Sequence, residues 1–341
     1  MPRDSRRAFL EALEKVSPQL RRAFEQAIQD IRSTAQLRAI EAAIDRGDIE
    51  AAIQAIRLGG EFFAPLDDAI VSAFRQGAIY QLSTLPKKTL PDTGPLLVRF
   101  QGRHPRAERW TRQRAAELIT EITEDQRRMI RETIHEGISQ NRGTRNIVLD
   151  LIGRTEGNQR VGGLIGLHSK QAEAVRAARA DLSGGDINRY MRRQRRDRRF
   201  DRTILKAQRE GRALTAKELD KITGRYAERL LRLRGENIAR TESNRAMNEG
   251  KAEAIRQMID SGQITEDMVT KIWDATPGLR TRDSHRLLNG VHERFGQSFV
   301  SPVSGALMDH PHDASHGAPA SELVNCRCSV RYRIDWAALA R

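Results

Sequence analysis

The sequence predicts a mainly α protein with a C-terminal α+β domain: an elongated helical body, then a small mixed domain closing with the strand around Cys326-Cys328. Three observations predict it. Apolar residues recur at helical spacing from the N-terminal region to about Met258. After Gly262 that texture yields to Pro and Gly at turn-like intervals, from Pro277 and Gly278 to Gly317 and Pro319. The segment VNCRCSVRYRI then alternates, with Cys326, Cys328, Val330, Tyr332 and Ile334 on one side and Arg327, Ser329, Arg331 and Arg333 on the other.

The elements follow in order. Phe9, Leu10, Leu13, Val16, Leu20, Phe24, Ile28 and Ile31 mark a first helix, short helices are expected around 36–58, and Pro65 opens one that reaches about Leu82. Pro86, Pro91, Pro95 and Pro105, with Gly94 and Gly102, preclude a helix and place a linker at 85–107. It separates an N-terminal helical region, 1–84, from a helical, basic middle domain, 108–262; the α+β domain is 263–341. In the middle domain Thr123 with Gln126 predicts a capping box before the helix carrying Ile130 and Ile134, and Ser169 caps the helix of QAEAVRAARADL. Thr215 with Glu218 opens a long amphipathic run through Ile222, Tyr226, Leu230, Leu233 and Ile238, continuing past Gly235. In the last domain VTKIWDA and QSFVS are the short segments between turns, and Asn289-Gly290 reads as a hairpin turn.

Composition narrows the function classes. Hydrophobic residues make up 38% and aromatics 5% of 341 residues, lean for a single compact enzyme and ordinary for a surface-rich helical protein. No run of eighteen apolar residues exists, so no membrane partner is expected, and MPRDSRRAFL lacks the apolar stretch of a signal peptide. Two cysteines one residue apart cannot staple distant loops, which fits a reducing cytoplasm.

The net charge of +14 is uneven: residues 101–214 hold 26 basic and 15 acidic side chains, against 14 and 13 in 1–100 and 19 and 17 in 215–341. A GC-rich genome explains why 50 of the 59 basic residues are Arg, but not the clustering. The excess peaks at Arg189–Arg212, with eleven basic and three acidic residues. In a continuous helix Arg192, Arg195, Arg196 and Arg199 share a face, flanked by Arg193 and Arg198, with Arg189 and Arg202 beyond. Such a guanidinium stripe can follow a phosphate backbone without reading bases. Only Tyr190 and Phe200 interleave, too few to stack a single strand. An acidic protein surface is the competing partner.

The C-terminal third carries four ordered motifs: IARTESNRAMNEGKAEAI at 238–255, KIWDATPGLRTRDSHRLLNG at 271–290, FVSPVSGALMDHPHD at 299–313 and ELVNCRCSVRY at 322–332. Their order and character resemble the Mu F-like minor head proteins of tailed bacteriophages, the head-morphogenesis family, over about 235–335. GLIGLHSKQAEAV at 163–175 is in keeping with that family in texture. The resemblance implies a few-copy virion component in the head interior, assembled in the host cytoplasm and associated with portal, capsid or scaffold proteins and with packaged double-stranded DNA. It implies no enzymatic activity. The family usually has Pro-Gly-Asp where this chain has Pro311-His312-Asp313, so His312 reads as a local substitution in a turn.

Within these motifs Arg240, Thr241, Glu242, Lys271, Trp273, Arg282, His285, Asn289, Gly290, Asn325, Cys326 and Cys328 read as a fold-defining network. Arg240 or Glu242 is expected to pair with Arg280, Arg282 or Lys271, and Trp273 to fill the small core. Two chemical alternatives arise. Cys326 and Cys328 with two imidazoles from among His285, His310, His312 and His316 could supply the donors of a tetrahedral zinc site; the apolar continuation into Val330, Tyr332 and Ile334 instead favours buried thiols and no cofactor. His285, Asn289 and His292 with Asp309, Asp313 and His316 could form a metal-dependent nuclease, although the spacing matches no such motif and His310–Asp313 reads as a solvated loop. A nucleophile elbow, a phosphate-binding Gly loop and a dinucleotide fingerprint are absent. The remaining alternative is a pure assembly protein without DNA binding.

Overall fold

The computed structural model describes residues 6–86, 89–90, 94–95 and 99–340. It is mainly helical, with small antiparallel sheets, as expected. The helices are α1 (Arg6–Thr34), α2 (Leu37–Asp45), α3 (Ile49–Ile56), α4 (Ala64–Ser83), α5 (Pro105–Ser139), α6 (Thr144–Ile152), α7 (Ser169–Ser183), α8 (Ile187–Met191), α9 (Asp201–Arg209), α10 (Ala216–Asp260), α11 (Asp283–Leu288) and α12 (Ala320–Leu323). The strands are β1 (Thr89–Leu90), β2 (Gly94–Pro95), β3 (Arg154–Glu156), β4 (Gln159–Val161), β5 (Val269–Asp274), β6 (His292–Arg294), β7 (Phe299–Val300), β8 (Leu307–Met308) and β9 (Ser329–Ile334). Two compact units are assembled from interleaved stretches of sequence, 1–21, 66–115 and 237–341 in one and 22–65 and 116–236 in the other. Of the Pro-rich stretch at 85–107, residues 87–88, 91–93 and 96–98 lie outside the described residues.

In the unit of 22–65 and 116–236, Phe24, Ile28, Ile31, Ile147, Leu151 and Ile165 are buried. Arg32, 1% exposed, donates to the carbonyls of Ile165 (3.0 and 2.7 Å) and Gly163 (2.6 Å) and to Glu228 (2.8 Å). A buried guanidinium persists only when its donors are satisfied in this way. Gly162 sits at φ +81° against Gly224, where an added Cβ would lie 2.6 Å from the Gly224 Cα. Two expected caps are corrected here. Thr123 lies inside α5 and donates to Thr120 O at 3.1 Å, while Gln126 reaches Leu167 O (2.7 Å) and accepts from Gly166 N (2.6 Å). The tertiary bonds of Gln126 replaced a local cap. The cap of α7 is His168, one residue before Ser169; its Nδ1 accepts from Gln171 N at 3.3 Å. The Thr215–Glu218 box forms as expected, with bonds of 2.8 and 3.2 Å, and α10 runs through Gly235 to Asp260.

In the other unit α4 and the second half of α10 approach backbone to backbone. A Cβ on Gly250 would stand 2.0 Å from Phe74 O, and one on Gly77 2.1 Å from Met247 O. The sheet has order β6-β5-β9, both pairs antiparallel, with Trp273 opposite Val330 and Ile272 opposite His292. Trp273, Phe299, Met308, Ile255 and Val330 are in its core, so Trp273 fills the place expected of it. The alternation at 326–334 holds except that Ser329 is also buried, and Cys326 and Cys328 precede the strand rather than lying in it. Asn289-Gly290 is not a hairpin turn. It ends α11, with Gly290 at φ +79° donating to Trp273 O (2.8 Å) and Asn289 Oδ1 accepting from Ala275 N (3.0 Å).

Candidate functional site

The motif-bearing half of α10 buries polar side chains: Thr241, Glu242, Ser243, Asn244, Arg245, Asn248, Lys251 and Glu253. Each such group needs a partner, because an unsatisfied buried donor or charge is costly. Asn244, Asn248 and Lys251 stand at i, i+4 and i+7, on one helix face. They donate to the carbonyls of Cys326 (3.1 Å), Cys328 (3.4 Å) and Val330, every second residue along the approach to β9. Asn248 Oδ1 also accepts from Val330 N at 3.1 Å. Since β9 is a sheet edge, this row of side chains occupies hydrogen-bonding groups that a further strand would take. The Lys251 ammonium also lies 5.0 and 5.1 Å from the ring centroids of Phe9 and Tyr80.

The surrounding motif residues close the loops onto this face. Thr241 Oγ1 accepts from Asn325 N (3.0 Å), Arg240 donates to Asn325 Oδ1 (3.1 Å), Arg282 donates to Val324 O, and Arg245 donates to His312 O (3.1 Å). The expected pairing of Glu242 with Arg280, Arg282 or Lys271 is corrected: its partner is Arg114 of α5, at 2.7 and 3.0 Å. Lys271 instead donates to Asp309 O at 2.9 Å, and burial lowers its pKa. His310 and His312 are buried rather than solvated. His310 Nε2 lies 2.7 Å from Glu249 Oε2, and His312 Nε2 lies 3.0 Å from Cys326 O. His312 holds φ +71°, a conformation suited to the glycine usual at this turn, and burial pushes its pKa well down.

Beside this zipper of Asn244, Asn248 and Lys251 on the β9 edge, His285 meets both thiols. Its Nδ1 is 3.4 Å from Cys326 Sγ and 3.5 Å from Cys328 Sγ, and its Nε2 is 3.0 Å from Glu322 Oε2. Glu322 accepts hydrogen bonds from Ser284, Ser301 and Ser304 (2.9, 2.9 and 2.7 Å). Burial pushes the Cys326 thiol up, whereas the contacts with Cys326 and His285 bring Cys328 down against its own burial. The nuclease constellation divides. Asp309, Asp313 and His316 converge, but His285 belongs to the thiol cluster, and Asn289 and His292 are exposed.

The basic segment departs from the expected stripe. Helix α8 stops at Met191, a single 3-10 turn covers Arg198–Phe200, and α9 starts at Asp201, so no helix face gathers the arginines. Aspartates in the segment and on α7 break it up. Arg193 bonds Asp181 (2.6 Å), Arg196 bonds Asp201 (2.9 Å), Arg199 bonds Asp197 (2.6 Å), and Arg189 lies 3.5 Å from Asp181. Arg192, Arg195, Arg198 and Arg202 are exposed and in no ion pair among the described residues.

Within its own unit, the buried polar face of α10 ties that helix to the edge of β9. Residues 184–331 match the family model described as Phage Mu protein F like protein. The match takes in the basic segment, α10, the thiol cluster and most of β9, and it extends the resemblance of 235–335 upstream; over this stretch the chain is similar to that family. No curated protein and no solved structure gives a significant match. No helix among the described residues is long and apolar enough to cross a membrane.

Proposed function

We propose that this protein is a minor head protein of a tailed phage that docks on the portal or the inner capsid and contacts packaged double-stranded DNA without reading its sequence. It serves as a tether in the virion interior rather than as an enzyme. The family match carries the head-morphogenesis reading. Support for the DNA contact comes from Arg192, Arg195, Arg198 and Arg202, four exposed guanidiniums without ion-pair partners among the described residues. A free guanidinium can neutralise phosphate and release its counterions, whereas one already held by an aspartate must first break that pair.

Binding to duplex DNA across a salt series tests this, comparing wild type with a variant in which these four arginines are alanine. Each phosphate contact contributes about −0.9 to the slope of log affinity against log salt, so the variant should be shallower by about 3 to 4. A weak wild-type signal that the variant leaves unchanged overturns the DNA contact. The same arginines would then face an acidic head protein, and the quadruple variant would be depleted from assembled heads.

A further inference from the structure

We propose that His285, Cys326 and Cys328 hold a zinc ion. The three donor atoms lie within 4.8 Å of one another, and all three residues are buried. Zinc–sulfur bonds of about 2.3 Å and zinc–nitrogen bonds of about 2.0 Å set tetrahedral N-to-S edges of about 3.5 Å. The observed separations, 3.4 and 3.5 Å from Nδ1 to the two sulfurs, equal that edge. The extended chain supplies the sulfur pair, since residues two apart project to the same side.

Hydrogen bonding alone accounts for the cluster poorly. His285 Nε2 lies 3.0 Å from Glu322 Oε2 but makes no hydrogen bond to it, and Nδ1 can make one bond, yet two sulfurs stand within reach of it. A cation bound to all three donors resolves that competition, and two thiolates with a neutral imidazole balance its charge. Glu322, held by three serine hydroxyls, places a carboxylate oxygen 3.0 Å from the second ring nitrogen, the position an outer partner of a metal-bound histidine takes at such sites. His310 is committed to Glu249, and His312 to the Cys326 carbonyl. Among the described residues no further His, Cys, Asp or Glu converges with the three, so the described side chains supply three donors.

The test is the metal content of the full chain, followed by replacement with cobalt(II) alone. About one zinc per chain is expected, with thiolate-to-cobalt charge-transfer absorption after exchange, and loss of both in a Cys326→Ala, Cys328→Ala double variant. Glu322→Gln should weaken zinc binding by about 10- to 100-fold while leaving the three donors in place. Folded wild-type protein that neither retains zinc nor shows the charge-transfer band overturns the site. So does a folded double variant that keeps its zinc, which would put the metal elsewhere. The cobalt spectrum is read on wild type, so the test stands even if the double variant does not fold.

Discussion

Asn248 pairs with Val330 as a neighbouring strand would: its Oδ1 accepts from the Val330 N–H at 3.1 Å, while its Nδ2 reaches the Cys328 carbonyl at 3.4 Å. Both side chains are fully buried, and no water replaces a lost bond at low cost in such a place. Asn248→Ala strands two backbone groups of the β9 edge, so a loss of about 1–3 kcal/mol in urea unfolding is expected. Glu236→Ala, on the exposed side of the same helix in a pair with Arg232, is the comparison; exposed pairs at this spacing contribute about 0.3–0.5 kcal/mol. Equal losses from the two would mean that the zipper does not support the edge.

Backbone contact between α4 and α10 leaves no room at Gly250. An alanine Cβ there would sit 2.0 Å from the Phe74 carbonyl oxygen, a clash with main chain that no rotamer relieves. Overpacking of this kind costs about 1–3 kcal/mol, and a forced separation of two helices costs more. Gly60→Ala is the control, because a Cβ at that site meets nothing within 4 Å. Thermal melts should show Gly250→Ala markedly less stable and Gly60→Ala within about 1 kcal/mol of wild type.

The buried pair Glu249–His310 predicts a pH window. Burial disfavours both charges, but the bond between them and that of Arg256 to the same carboxylate (2.6 Å) outweigh it. Glu249 is therefore held at about 2, below its ordinary 4.5, and His310 is raised above its ordinary 6.5. A raised histidine contributes stability that is complete below 6.5 and lost as pH climbs through the higher folded value; a depressed glutamate contributes stability present above 4.5 and lost as pH falls toward about 2. Urea midpoints across pH should accordingly decline on both sides. In His310→Gln the alkaline decline should vanish; its persistence would assign that decline to another group.

How much of this was legible beforehand depends on the range of the forces involved. Helix periodicity and the Thr215–Glu218 box are local, and α10 appeared where they placed it. The two-residue alternation at 326–334 correctly buried both cysteines. Thr123–Gln126 had the form of a local cap, yet Gln126 is used forty residues away, at Gly166 and Leu167. Glu242 failed in the same way, because its partner Arg114 is 128 residues distant and nothing in either segment marks the pair. A usable signal was present in α10: Asn244, Asn248 and Lys251 share a helix face with small residues around them, which points to a buried polar seam. The interleaving of the two units is carried by contacts between distant segments, and punctuation by Pro and Gly does not register it.

The basic segment separates into two sets of arginines with opposite expected phenotypes. Arg193 is mostly buried, bonds Asp181 at 2.6 Å and has its guanidinium 6.0 Å from the Tyr226 ring centroid; Arg196 bonds Asp201 through two nitrogens, at 3.0 and 2.9 Å. Removing Arg196 takes the bidentate cation from Asp201, and removing Arg193 leaves Asp181 only the longer 3.5 Å contact with Arg189; each loss costs about 1–3 kcal/mol once partial solvation is allowed for. Arg192, Arg195, Arg198 and Arg202 have no ion-pair partner to abandon among the described residues, so their loss should shift unfolding by less than about 0.5 kcal/mol each. DNA affinity should divide the other way, falling with the second set and little changed by Arg193→Ala at a temperature where that variant is folded. Melting curves and salt-dependent DNA titrations on the same preparations check both halves. If Arg193→Ala lowers DNA affinity as much as Arg195→Ala without loss of stability, the Asp181 pair opens on binding and the two sets are one surface.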